Sequence, residues 1–297
     1  MFKGCFVAMV TPFRSGLLDR RALDELVDYV IAGRVAGLVP CGTTGESPTL
    51  SEEEQGDVIA AVVHRAKGRV QVMAGTGTNC TEKSLHYSQA AVRAGADAVM
   101  LVAPYYNRPN QRGLYEHFSY VARGIRVPIV LYNIPGRTGV EISAETIARL
   151  HADHPNIVAV KHATGSIDGA SELAAVSDIT ILSGDDPLTV PLMSIGASGV
   201  ISVLGNLLPA EMSSMCNAAL AGEWDDARAW HHSLYPLARD LLKLDTNPIP
   251  IKAALAMRGM MAEEYRLPLC PMEPAKRERL AALLADYSKR EKARCIA

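Results

Sequence analysis

A lysine that closes a short apolar run is the residue in this chain best suited to covalent chemistry. Lys161 follows Ile157-Val158-Ala159-Val160. If that run is a buried strand, its amine is partly removed from water, which disfavours the ammonium form and frees a nucleophile able to attack a carbonyl. An ion pair with Glu46 or a neighbouring Asp is the competing reading on position alone. Imine chemistry also needs a proton donor for the departing water, and the Tyr132 phenol, ending the preceding run, can supply it. Thr43 and Tyr106 offer hydroxyls to carry that proton onward. A keto acid further needs its carboxylate held. The Gly-flanked Thr43-Thr44 pair provides hydroxyls and backbone amides, and Arg137, between Gly136 and Thr138, provides a bidentate fork for a second carboxylate. Each residue alone has a simpler explanation as a turn, a packed ring or a surface charge; their gathering on one rim is what favours chemistry.

That rim requires a particular scaffold. Short, almost continuously apolar runs occur at 5–10, 37–41, 70–74, 98–102, 128–132, 157–160, 179–182 and 199–203, their starts about 20 to 33 residues apart. Runs of this kind suit strands covered on both faces, and the spacing suits a strand, a helix and two loops. Helical segments are expected from near Asp19, Ser51, Thr81, Arg112, Ser143, Ser166, Pro187 and Pro209. Ser51 to Glu54 reads as a capping box, and Gly33, Gly95, Gly124 and Gly222 are placed to close helices in a left-handed conformation. Eight repeats predict an α/β fold, a (β/α)8 barrel over residues 1–223, close to the usual barrel size of about 200 to 250 residues. The open, doubly wound alternative lacks its glycine fingerprint: GTG at 75–77 has no third Gly at the required spacing. Residues 224–297 read as a helical extension punctuated by prolines, ending in an amphipathic, partly solvated helix. Active sites of such barrels lie at the carboxyl ends of the strands, where the chemically useful residues collect here.

Composition narrows the function. Thirty Lys and Arg against thirty-two Asp and Glu among 297 residues give a net charge of −2, which leaves no basic surplus for a nucleic acid. No apolar stretch approaches the roughly 18 residues of a membrane span, and the N-terminus is too weakly flanked for a secretory signal, so a cytoplasmic protein is expected. Six dispersed Cys, with no C-x-x-C, support neither a zinc site nor a disulfide framework. They read as structural, with a reactive thiol at the rim residue Cys41 as the alternative. His151 and His154, in the HADH turn, read as a solvated helix end rather than metal ligands, and His231-His232 as structural.

The motifs GTTGES at 42–47, PYYNRP at 104–109, LYNIPGRTG at 131–139, Lys161 followed by an ATG at 163–165, SGDD at 183–186, GVISV at 199–203 and NPIPIKAAL at 247–255 occur in order over almost the whole chain. Together they resemble the dihydrodipicolinate synthases of the pyruvate-dependent class I aldolase family. The resemblance implies that Lys161 forms an imine with pyruvate, whose enamine attacks the aldehyde of L-aspartate-4-semialdehyde. Tyr132 is then the general acid and base, relayed by Thr43 and Tyr106. Thr44 binds the pyruvate carboxylate, Arg137 the semialdehyde carboxylate, and Gly184 and Ile201 line the pyruvate pocket through backbone groups. It further implies no metal or organic cofactor, a Tyr106 shared with the adjacent subunit, and a homotetramer built from two tight dimers. Arg137 in GRTG separates this reading from sibling sugar-acid aldolases and N-acetylneuraminate lyases; a catalytically silent keto-acid-binding barrel is the alternative from another class. Two departures stand out. His162 replaces the Glu that usually follows the lysine, and alternation along the strand turns it away from Lys161. Lys83 replaces an acidic residue of lysine-inhibited members, with Glu52 and Gln55 where these carry His. Weak or absent lysine feedback is expected, although Ser47, Asn79 and Tyr105 match that site.

Overall fold

The computed structural model describes residues 2–296; the side chains beyond 290, including Cys295, lie outside the described residues. All eight expected strands form: β1 (Gly4–Ala8), β2 (Gly37–Val39), β3 (Gln71–Gly75), β4 (Ala98–Val102), β5 (Ile129–Asn133), β6 (Ile157–His162), β7 (Thr180–Ser183) and β8 (Gly199–Ser202). They pair in parallel and in sequence, and the sheet closes where Gly4 of β1 pairs with Gly199 of β8. Closure leaves the strands with two faces that never meet, and alternation sorts the side chains between them. Phe6, Val39, Met73, Met100, Val130, Ala159, Leu182 and Ile201 fill the interior. Val7, Leu38, Val72, Val99, Leu131, Val160 and Val200 face outward into the helical layer. At one end Phe2 meets the Phe6 ring edge-on at 5.6 Å.

The layer consists of α1 (Arg20–Ala32), α2 (Glu52–Ala66), α3 (Thr81–Arg93), α4 (Gln111–Gly124), α5 (Ala144–Asp153), α6 (Ile167–Val176), α7 (Thr189–Ser194) and α8 (Pro209–Ala221). The capping box at α2 is complete: Ser51 Oγ accepts from the Glu54 amide at 3.2 Å, and the Glu54 carboxylate accepts from the Ser51 amide at 2.9 Å. The segment expected from Pro187 opens as a 3₁₀ turn, Asp186–Leu188, before α7. Of the four expected helix-closing glycines, Gly95 and Gly222 are left-handed, whereas Gly33 and Gly124 are not. Those two serve close packing instead: a Cβ would lie 2.5 Å from Pro209 at Gly33 and 2.3 Å from Leu85 at Gly124. After α8 only helices follow, α9 (Trp224–Leu244), α10 (Ile249–Met257) and α11 (Pro274–Ile296). No described helix is long and apolar enough to cross a membrane.

Candidate active site

β5 and β6 run side by side in a register that pairs Tyr132 with Lys161. Both side chains point into the barrel, both are buried, and the Lys161 Nζ lies 4.2 Å from the centre of the Tyr132 ring. The next residue, His162, faces the helical layer, where its Nε2–H donates to the Ser166 carbonyl at 2.8 Å. A carbonyl only accepts, so this bond fixes the tautomer. Asp185, just past β7, is half-buried; desolvation pushes its carboxyl above the usual range, and the nearby Lys161 opposes that shift.

A cavity of about 220 Å³ opens at the carboxyl ends of the strands, lined among others by Thr43, Tyr105, Tyr132 and Arg137. The loop after β2 folds on itself: the amides of Gly45, Glu46 and Ser47 donate to the carbonyls of Gly42, Thr43 and Gly42. Three amides are thereby committed, which leaves Thr43 and Thr44 as the groups able to hold a carboxylate. Thr44 Oγ1 accepts from Asn247 Nδ2 at 3.0 Å, so its own proton is free to donate to a ligand. The exposed Arg137 sits on a helical turn, Pro135–Thr138, and donates one N–H to the Asn247 carbonyl at 3.1 Å. Gly184 packs so closely that a Cβ would lie 2.5 Å from Ala163, and its N–H donates to the His162 carbonyl at 2.7 Å. Only its carbonyl is left to face a ligand. Ile201 is fully buried on β8.

Tyr106 is the exception within a single chain. It is 90% exposed, in a left-handed backbone conformation with φ of 72°, and does not reach the cavity that its neighbour Tyr105 lines. Cys41 does line the cavity, but burial pushes its thiol well above the usual range and its Sγ points at the Gln55 carbonyl, so the thiolate needed for reactivity is suppressed. His154 corrects an expectation: it is buried, hydrogen-bonded to Ser119 Oγ at 2.8 Å, where a solvated helix end was expected. No group of three His, Cys, Asp or Glu among the described residues is placed to hold a metal. Glu46, the ion-pair partner considered for Lys161, is instead paired with the buried Lys252, and neither Lys252 nor Asn247 has an assigned role from sequence reasoning. A lone cation within the apolar run IPIKAALAM was the available signal.

A closed parallel barrel with a buried lysine beside a tyrosine that lines the cavity at the carboxyl ends of the strands falls among the class I aldolase-type lyases. The chain belongs to the dihydrodipicolinate synthetase family, whose model matches residues 1–287. It is 47% identical over 289 residues to the 4-hydroxy-tetrahydrodipicolinate synthase of Geotalea daltonii, an alignment covering 97% of this chain and 99% of that one. The structure of the corresponding enzyme from Methylacidiphilum fumariolicum SolV superposes with a TM-score of 0.96 at 45% identity, covering 97% of each chain. That of the chloride-inhibited dihydrodipicolinate synthase of Acinetobacter baumannii complexed with pyruvate gives 0.94 at 40% identity, covering 97% of this chain and 99% of that one.

Proposed function

We infer that this chain condenses pyruvate with L-aspartate-4-semialdehyde to form 4-hydroxy-tetrahydrodipicolinate, in the cytoplasmic synthesis of diaminopimelate and lysine. The observation that carries the reading is the buried Lys161 amine facing Tyr132 inside the barrel, with Tyr132, Thr43 and Arg137 lining one cavity at the carboxyl ends of the strands. The Lys161 amine attacks the pyruvate ketone; water leaves and an imine remains. Loss of a methyl proton gives the enamine, whose carbon attacks the aldehyde. The amine of the resulting adduct then displaces Lys161 by transimination, closing the ring and regenerating the free lysine.

Tyr132 donates and accepts the protons of these steps, with Thr43 and Tyr106 as its relay to solvent. Thr44 holds the pyruvate carboxylate through its uncommitted hydroxyl proton, and the Gly184 carbonyl and Ile201 backbone complete that pocket. Arg137, anchored at one N–H, keeps the rest of its fork for the semialdehyde carboxylate. The outward position of Tyr106 supports its insertion into a neighbouring subunit's site, and hence a dimer as the smallest active unit within a homotetramer.

Borohydride reduction in the presence of pyruvate tests the imine. A stable pyruvate-derived adduct mapped to Lys161 is expected, and an unmodified Lys161 would leave a silent keto-acid binder as the better reading. Turnover with aspartate semialdehyde, compared with simple sugar aldehydes, separates the synthase from its sibling aldolases.

A further inference from the structure

Glu46 and Lys252 lie 206 residues apart in sequence, yet form an ion pair with both side chains fully buried. The Lys252 Nζ sits 4.5 Å from the Phe13 ring centre and 5.2 Å from that of Tyr265. The second Glu46 oxygen accepts the Arg266 amide at 3.1 Å. Glu46 also holds a left-handed backbone conformation, φ 54°, unfavourable for a residue with a side chain. This backbone belongs to the loop that carries Thr43 and Thr44. Lys252 lies in α10, and the residue that leads into α10, Asn247, contacts both Thr44 and Arg137. One short segment therefore touches both proposed carboxylate-binding groups, and the ion pair ties that segment to the loop that carries Thr44.

We propose that Lys252 is a positioning residue of the active site, which through Glu46 fixes the spacing between Thr44 and Arg137. Burying a charge pair brings little net stability compared with apolar side chains of similar volume, because desolvation offsets the attraction. What the pair adds is direction: two charges and their hydrogen bonds admit one arrangement of loop and helix, whereas apolar packing tolerates several. The role rests on the pyruvate reading above.

The test compares wild type, Lys252→Met and the double variant Glu46→Gln/Lys252→Met, with thermal melting measured beside borohydride trapping and steady-state kinetics. The single variant leaves a buried carboxylate unpaired and melts lower. The double variant recovers most of the melting temperature, yet needs about tenfold more pyruvate for half-maximal trapping, with KM raised for both substrates more than kcat is lowered. A double variant that traps at wild-type pyruvate concentration, or that does not fold, overturns this role and leaves the pair a structural one. A wild-type chain that fails to trap pyruvate overturns the imine reading and this role with it.

Discussion

At Lys161 and His162 the two faces of one strand separate the proposed chemistry from support, because successive side chains of β6 enter different compartments. Inside, Lys161→Ala is expected to abolish both turnover and pyruvate trapping. Tyr132→Phe keeps the ring beside Lys161 but removes the transferable proton, so kcat should fall by about 10²- to 10⁴-fold while pyruvate KM changes little; an unchanged kcat would remove Tyr132 from the acid and base role. Outside, His162 holds Ser166 at the start of α6 and is not in line with the chemistry. Lys161 was legible in the sequence because an apolar run ending in a cation has few explanations, Tyr132 because it ends another, and Thr43, Thr44 and Arg137 because they lie in the loops that follow such runs. Asn247 and Lys252 were not, since their partners Thr44 and Glu46 are some two hundred residues away. Periodicity carries no information about contacts at that separation. Of the residues that bear on lysine feedback, Glu52 is paired with His86 at 2.7 Å and Lys83 is exposed. Millimolar L-lysine should leave the steady-state rate nearly unchanged, and strong inhibition below that range would contradict the reading of Lys83.

Among the elements, α2 shows how a local signal and a distant one meet. Its capping box ties Ser51 to Glu54, and Arg266 forks the same carboxylate at 2.5 and 2.6 Å. Ser51→Ala should cost about 1 kcal/mol in denaturant unfolding, the usual loss for an N-cap. The Arg266 guanidinium lowers the Glu54 carboxyl from the usual 4.5 to about 2. A carboxylate with a depressed folded pKa stabilises the fold fully above its unfolded value and loses that contribution as pH falls through the folded one. The stability difference between wild type and Arg266→Leu should accordingly be constant above about pH 5 and shrink between there and about pH 2. A gap that widens on acidification would assign Arg266 another partner. The strands were readable as elements from their apolar runs alone. The glycines were less so, because a left-handed closure at Gly222 and a close contact at Gly33 select the same residue type for unrelated reasons.

For the molecule as a whole, Tyr106 poses the question of how many chains make a site. If it acts in its partner's site, mixing Tyr106→Phe with Lys161→Ala restores one intact site in each mixed dimer. Half of randomly assembled dimers are mixed, so about a quarter of wild-type activity should return after subunit exchange. Absence of recovery, with exchange demonstrated by mass, would confine Tyr106 to its own chain. The closure of the sheet bears on a different matter, the order in which the chain can be completed during synthesis. The seam joins β1 to β8, so the first strand waits unpaired on one side until residues near 199 have left the ribosome. Glu46 waits longer still, because its counter-charge is made some fifty residues after the seam. A nascent chain can thus assemble its barrel while the carboxylate in the loop after β2 remains hydrated. A chain stopped before residue 247 already carries Lys161, Thr44 and Arg137, but lacks the Asn247 and Lys252 that brace the loops holding the last two.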